Sequence, residues 1–364
     1  MLKIVHAADL HLDSAFGALG AEKARERRRE GRYLIERLAE LASREQADLL
    51  LLSGDLFDGR HVYPETLECM AEAFARLSAR VFIAPGNHDP YEPGGSYERA
   101  CWPENVHIFR NSSVEAVELP EWNAVVYGAA FTAPQRLEAP LQGFSAPRDG
   151  RIHLMVLHGD VSAGDSAYGV IRKEEIAASG LAYLALGHIH QSSGLQKSGS
   201  TYWAYPGCPE GRGFDETGEK GVLVGAVSAE GAELSFRPFA RRLYEIYTVD
   251  ITEKDAAEAV RQALPASAAM NIVRVRLVGE RPEKGLDLPR LQEKLQGLCY
   301  ELELQDETHL REDVWESAGE DSLRGLFLRR MKEKLDAAQT EEERRLAEEA
   351  LRFGLAALAG REIG

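Results

Sequence analysis

The feature that most limits how this chain can fold is a repeated pairing of an apolar run with a block of metal-ligating residues. Asp9-Leu10-His11 follows the run 2–5, Gly54-Asp55-Leu56-Phe57-Asp58 follows 49–52, and Gly86-Asn87-His88-Asp89 follows 81–84. His158-Gly159 follows 154–157, and Gly187-His188-Ile189-His190 follows 181–186. Near-continuous Val, Ile and Leu marks strands buried on both faces, as in parallel sheets covered by helices. Ligands of open α/β sheets collect outside the carboxyl ends of the strands. Five strand ends carrying Asp, His and Asn therefore predict one shared site.

The remaining pattern fills in an architecture. Helical periodicity covers 22–44, 64–77 and 173–178, whereas the strand-like runs 114–119, 123–127, 202–205, 221–227 and 233–239 have no long helix between them. A sheet entered by β-α-β units and completed by successive strands predicts a two-sheet sandwich with helices outside. Near 241 the character changes. Strands at 244–251, 272–278 and 300–304 alternate with helices at 254–264 and 288–298, an α+β unit too small to stand alone and expected to dock on the main domain. From His309 onward the pattern is helical and charged. Leu323, Leu326, Phe327, Met331 and Leu335 share one face, and Leu346, Ala350, Leu351, Leu355 and Leu358 another. Thr340 with Glu343 forms a capping box for the last helix. Such helices either pack on their own domain or fill a groove on a partner. The expected divisions are 1–240, 241–305 and 306–364.

Composition removes several classes of function. The 364 residues are 44% hydrophobic and 28% charged, ordinary for a globular protein. No apolar run approaches the roughly 20 residues of a membrane span, and the start reaches Asp9 too soon for a secretory signal, so a cytoplasmic protein is expected. Cys69, Cys101, Cys208 and Cys299 lie far apart, which argues against a thiolate zinc site or a disulfide framework. The net charge of −16 opposes a stand-alone nucleic-acid binder. Bound cations, local basic clusters or a partner would have to offset it. Arg25, Arg27, Arg28, Arg29 and Arg32, interleaved with Glu22, Glu26 and Glu30, read either as a solvated helix face or as such a cluster.

The five blocks suit hydrolysis of a phosphodiester. That reaction needs a strong nucleophile at neutral pH and neutralisation of charge at phosphorus, and two metals about 3.5–4 Å apart supply both when one ligand bridges them. Asp55 is the natural bridge, beside a glycine that permits a tight turn. Asp9 and His11 lie two apart, so on a strand both would face one ion. His188 and His190 share that spacing, but loop ligands can diverge. Asn87 adds a neutral oxygen and His158 an imidazole. Seven mixed N/O ligands suit manganese, iron or zinc rather than magnesium or calcium.

The ordered series Asp-x-His, Gly-Asp-x-x-Asp, Gly-Asn-His-Asp, His and Gly-His-x-His resembles the calcineurin-like metallophosphoesterase superfamily. Within it the chain is most similar to SbcD-type DNA-repair exonuclease subunits of the YhaO-like branch, with residues 4–13 and Tyr205-Pro206-Gly207 adding to the match. Asp89, where related protein phosphatases carry Glu, and Gly59-Arg60, where they carry Arg-Gly, favour the nuclease and phosphodiesterase side. The resemblance implies a four-layer α/β/β/α sandwich with a small α+β capping domain and C-terminal helices. It implies that Asp9, His11, Asp55 and His190 hold one metal and Asp55, Asn87, His158 and His188 the other, manganese being the preferred ion. His88 would act as general acid or charge stabiliser, steadied by Asp58. DNA would be the substrate and an SMC-like, ABC-type coiled-coil ATPase the partner, docked on the terminal helices; a homodimer is plausible by analogy. The loop 209–215 would grip a phosphate or stack on a base through Arg212, or be a plain surface loop. The rivals are a phosphodiesterase or phosphatase for nucleotides and other small phosphoesters, and an assembly scaffold with a vestigial site.

Overall fold

A computed structural model describes residues 1–161, 166–281, 285–310 and 313–358; positions 311–312 and 359–364 of the expected helical region lie outside them. The chain divides into two compact units, Met1–Leu243 and Tyr244–Gly364. The α+β segment and the terminal helices, expected as separate regions, both belong to the second.

The first unit opens with four parallel strands, β1 (Leu2–Ala7), β2 (Leu49–Leu52), β3 (Arg80–Ile83) and β4 (Val106–Ile108). Helix α1 (Ala21–Arg44) joins β1 to β2, α2 (Pro64–Ala75) joins β2 to β3, and the single turn α3 (Ser96–Arg99) precedes β4. A second sheet follows, from β5 (Glu115–Leu119), β6 (Ala124–Gly128), β7 (Ile152–His158), β8 (Tyr183–Gly187), β9 (Gln196–Ser198) and β10 (Thr201–Ala204), with α4 (Lys173–Ala178) before β8. Its order is β5-β6-β7-β8-β10-β9, parallel from β6 to β10 and antiparallel at both edges. The chain then returns to the first sheet. There β11 (Gly221–Ser228) pairs antiparallel with β1, and β12 (Gly231–Pro238) with β11.

Strand alternation explains the layers. In β2, Leu49 and Leu51 face a core between the sheets, shared with Phe82, Val126, Leu154 and Tyr183. Leu50 and Leu52 face α1 and α2 through Ile35, Leu38, Met70 and Phe74. On the far side Ile176 of α4 packs with Met155, Leu157 and Leu184. Burying each such side chain contributes about 1.5–3 kcal/mol, so a four-leucine strand is held from both sides. The result is the expected α/β/β/α sandwich.

The second unit contains a parallel sheet of β13 (Tyr244–Asp250), β14 (Ile272–Val278) and, after β15 (Glu280–Arg281), β16 (Glu301–Asp306), in the order β13-β14-β16. Helices α5 (Ala256–Ala263) and α6 (Leu288–Lys294) cover one face through Val260, Leu291 and Leu295. Two residues of β17 (His309–Leu310) pair with β15, where a helical start was expected. After α7 (Asp313–Glu316), helices α8 (Leu323–Ala337) and α9 (Glu341–Leu358) pack on each other through Leu328, Met331, Ala347, Leu351 and Leu355. The Thr340–Glu343 capping box is formed. Of the leucines on the predicted apolar faces, Leu323, Leu326, Leu346 and Leu358 are left exposed, at 71%, 52%, 68% and 38%.

Candidate metal centre

All five ligand blocks lie at carboxyl ends of parallel strands: after β1, β2 and β3 in one sheet, and at the ends of β7 and β8 in the other. The loops are tied to one another by backbone hydrogen bonds. Asp9 N donates to Gly54 O (3.0 Å), His11 N to Asp55 O (2.9 Å) and Gly159 N to Gly187 O (3.1 Å). The turns are tight enough to force Asp9, His11, Asp55 and His188 to positive φ, 54°, 43°, 49° and 113°, a sparsely populated conformation for such residues that costs on the order of 1–3 kcal/mol each. Gly54 (φ 84°) is required, since a Cβ there would meet His158 Nδ1 at 2.6 Å.

Asp55 sits at the centre. Its Oδ2 lies 3.4 Å from His158 Nε2 and 3.8 Å from His11 Nε2, while its Oδ1 accepts from His88 N at 2.9 Å. On one side Asp9, His11 and His190 bring donor atoms within 4.8 Å of one another, and on the other Asp9, Asp55 and His158 do so. Asn87 Oδ1 is 2.9 Å from His158 Nε2. His188 stacks edge-on to His158 at 5.3 Å, with Tyr168 against its other side at 5.1 Å. The other six expected ligands thus come together around Asp55.

Charge and protonation fit divalent cations. Burial, and then the neighbouring Asp55 charge, push Asp9 well above the usual carboxylate range. Burial works the same way on Asp55, but the His158 and His11 imidazoles outweigh it and hold Asp55 low. Burial lowers His11 and His188 to about 4, so both rings are neutral at pH 7 with a lone pair to offer. His158 Nδ1 donates to Ser53 O (2.9 Å), which turns its Nε2 inward. The Nε2 atoms of His11 and His190 face each other at 3.2 Å, a separation that suits two nitrogens each about 2.1 Å from one ion. Two close carboxyl groups beside the lone pairs of His11 and His188 make a donor set that fits divalent cations.

Around this set lie groups that sequence reasoning missed. Glu216 Oε1 accepts from His190 Nδ1 at 2.6 Å. Burial alone would raise this carboxyl, but the His190 hydrogen bond and the Arg212 charge bring it down to about 2. Asp89 receives backbone N–H groups of Asp55 (3.1 Å), Leu56 (2.7 Å), Phe57 (3.2 Å) and Gly86 (2.7 Å), and the Tyr97 hydroxyl (2.5 Å). It clamps the turn that carries Asp55. Sequence reasoning used Asp89 only as a mark of substrate class within its ligand block, and Glu216, 26 residues after His190, carried no signal there.

Two expectations take a different form. Asp58 was expected to steady His88; its oxygen instead accepts from His11 Nδ1 (3.1 Å) and Arg212 Nη1 (2.6 Å). The exposed His88 ring lies 4.8 Å from that of His11, and His88, His11 and Asp58 converge within 4.8 Å. Arg27 is not on a solvated face. It is 1% exposed, bonded to Glu30 (2.7 Å), Glu210 (3.0 Å) and Gly211 O (3.1 Å).

The calcineurin-like phosphoesterase family matches residues 2–192, which contain every ligand named above. The chain belongs to that family. It is 31% identical over 337 residues to the uncharacterized metallophosphoesterase YhaO of Bacillus subtilis, covering 84% of this chain and 82% of that one. It is 22% identical over 231 residues to the SbcD component of the SbcCD nuclease of Staphylococcus epidermidis (54% and 59% covered) and 23% identical over 258 residues to that of Bacillus subtilis (60% and 64% covered). This calcineurin-like phosphoesterase is a metal-dependent phosphoester hydrolase whose donor set suits two divalent ions. Among the described residues no helix is long and apolar enough to cross a membrane.

Proposed function

We propose that this phosphoesterase cleaves DNA, as the nuclease component of a cytoplasmic repair complex with an ABC-type coiled-coil ATPase. The observation that carries the dinuclear chemistry is Asp55 Oδ2, shared between the His11 and His158 nitrogens at 3.8 and 3.4 Å. Two divalent ions, manganese in our reading, would supply Lewis-acid charge at the phosphoryl oxygens and lower the pKa of water. Asp9, His11, Asp55 and His190 would hold one and Asp55, Asn87, His158 and His188 the other. The protein's own task is then to present the phosphate and release the leaving sugar oxygen. His88 suits the second. Its backbone is pinned by Asp55 and its ring is exposed beside that of His11; on this reading it would donate a proton to that oxygen.

Support for DNA as substrate comes from the likeness to the SbcD components of SbcCD nucleases, of which the chain spans about three fifths. Support for the partner comes from Leu323, Leu326 and Leu346, exposed on two helices that already satisfy each other's apolar seam. The net charge of −16 favours a second reading, hydrolysis of small phosphoesters that need no basic track.

The test is manganese-dependent cleavage of labelled single- and double-stranded DNA beside a small chromogenic phosphodiester. His88→Ala should keep its metals and lose roughly 10²–10⁴-fold in turnover of DNA. Turnover of the small ester alone, by wild type mixed with no partner or with the ATPase, would favour the second reading.

A further inference from the structure

We infer that Arg212 is a positioning residue that fixes two metal-facing imidazoles at once, by binding the carboxylates that orient them. The inference deepens the dinuclear reading above and rests on it. His11 and His190 each use Nδ1 outward, toward Asp58 Oδ1 (3.1 Å) and Glu216 Oε1 (2.6 Å). Those same two oxygens receive the guanidinium, Nη1 on Asp58 (2.6 Å) and Nη2 on Glu216 (3.1 Å). One planar cation thus spans both carboxylate–imidazole pairs, and the inward nitrogens of the two rings lie 3.2 Å apart. A carboxylate behind a ligating histidine sets its tautomer and direction; Arg212 sets the separation of the two carboxylates.

The guanidinium is itself held in place. Arg212 N donates to Glu216 Oε2 at 2.8 Å, so the loop closes on its own carboxylate. The residues just before it are anchored to α1, because the buried Arg27 binds Glu210 Oε1 and Gly211 O. Glu210 also accepts from the backbone N–H groups of Arg241 (2.8 Å) and Arg242 (3.1 Å). Two carboxylates engage the guanidinium before any substrate arrives, which distinguishes a positioning role from a grip on phosphate. A lysine would offer one point charge where the fork of arginine makes two directed contacts.

The experiment is manganese titration of the metal-stripped full chain, read by bound-metal stoichiometry and by electron paramagnetic resonance, with hydrolysis of a chromogenic phosphodiester alongside. Wild type should take up two ions per chain and show a spin-coupled pair. Arg212→Ala should weaken one ion about 10–100-fold, replace the coupled signal by that of isolated manganese at intermediate metal, and leave KM within about twofold once metal is saturating. Arg212→Lys should fall between, and Glu216→Gln, nearly isosteric, should weaken the same ion even if Arg212→Ala fails to fold. Wild-type metal affinity in these variants, with a raised KM in Arg212→Ala, would overturn the inference and make Arg212 a substrate contact. Fewer than two ions in the wild type would overturn the dinuclear reading, and the inference with it.

Discussion

Asp89 shows how much one side chain can organise. In the sequence it stands out as a departure from the Glu of related phosphatases, a matter of substrate class. In the folded protein it is a buried carboxylate receiving four backbone amides and a tyrosine hydroxyl. Its protonation is contested: burial and then the Asp55 charge lift it to about 7, against the pull of the amides and Tyr97. Asn at this position would turn an NH₂ toward N–H groups and strand at least one of them. Asp89→Asn should therefore cost about 2 kcal/mol or more, seen as a lower denaturant midpoint, and should weaken metal binding because the Asp55 turn loosens. Unchanged stability would mean that the amides find other acceptors.

At the scale of elements, the terminal helices separate two uses of leucine. Leu351 of α9 is 2% exposed in the seam with α8, whereas Leu346 on the same helix is 68% exposed. Leu351→Ala should destabilise the helix pair by about 2–5 kcal/mol, measurable as faster amide exchange across α8 and α9. Leu346→Ala should stay within about 0.5 kcal/mol and, on the proposed reading, weaken binding of the ATPase partner. Apolar periodicity reported that these helices are amphipathic but not which leucine faces which neighbour, since 3.6-residue spacing leaves room for both. Parallel strands were easier. A run such as Leu49–Leu52 is hydrophobic whichever way it turns, and its end marks a surface point where ligands can gather, so the convergence of the five blocks at strand ends was legible. The outer groups were not. Glu216 comes 26 residues after His190 in a glycine-rich loop without periodicity, and Arg27 looks like a surface charge until Glu30, Glu210 and Gly211 close over it. The pairing of β15 with β17, two residues each, is too short for any pattern to announce.

For the molecule as a whole, the buried histidines couple stability to pH. His6 lies in the inter-sheet region with both ring nitrogens used, on Tyr183 OH (2.8 Å) and Ser53 Oγ (3.0 Å), and burial lowers its pKa to about 3. The unfolded chain would take up that proton near 6.5. The unfolded state thus binds more protons between pH 6.5 and 3, and stability is full above 6.5 and falls as pH drops through that window. One such group contributes a slope of about 1.4 kcal/mol per pH unit. Melting of wild type and His6→Asn between pH 7.5 and 5 should show a shallower loss in the variant, and equal slopes would refute a neutral, buried His6.

The parts of the metal centre come from distant stretches of chain. His11 and His190 are 179 residues apart, and the donors arrive from β1, β2 and β3 in one sheet and from β7 and β8 in the other. A cation held by the full donor set would tie the two halves of the sandwich together. Because that set needs His158, His188 and His190 from the second sheet as well as Asp9, His11, Asp55 and Asn87 from the first, full affinity would be gained only once the two sheets have met. The onset of tight metal binding during refolding would therefore report that meeting.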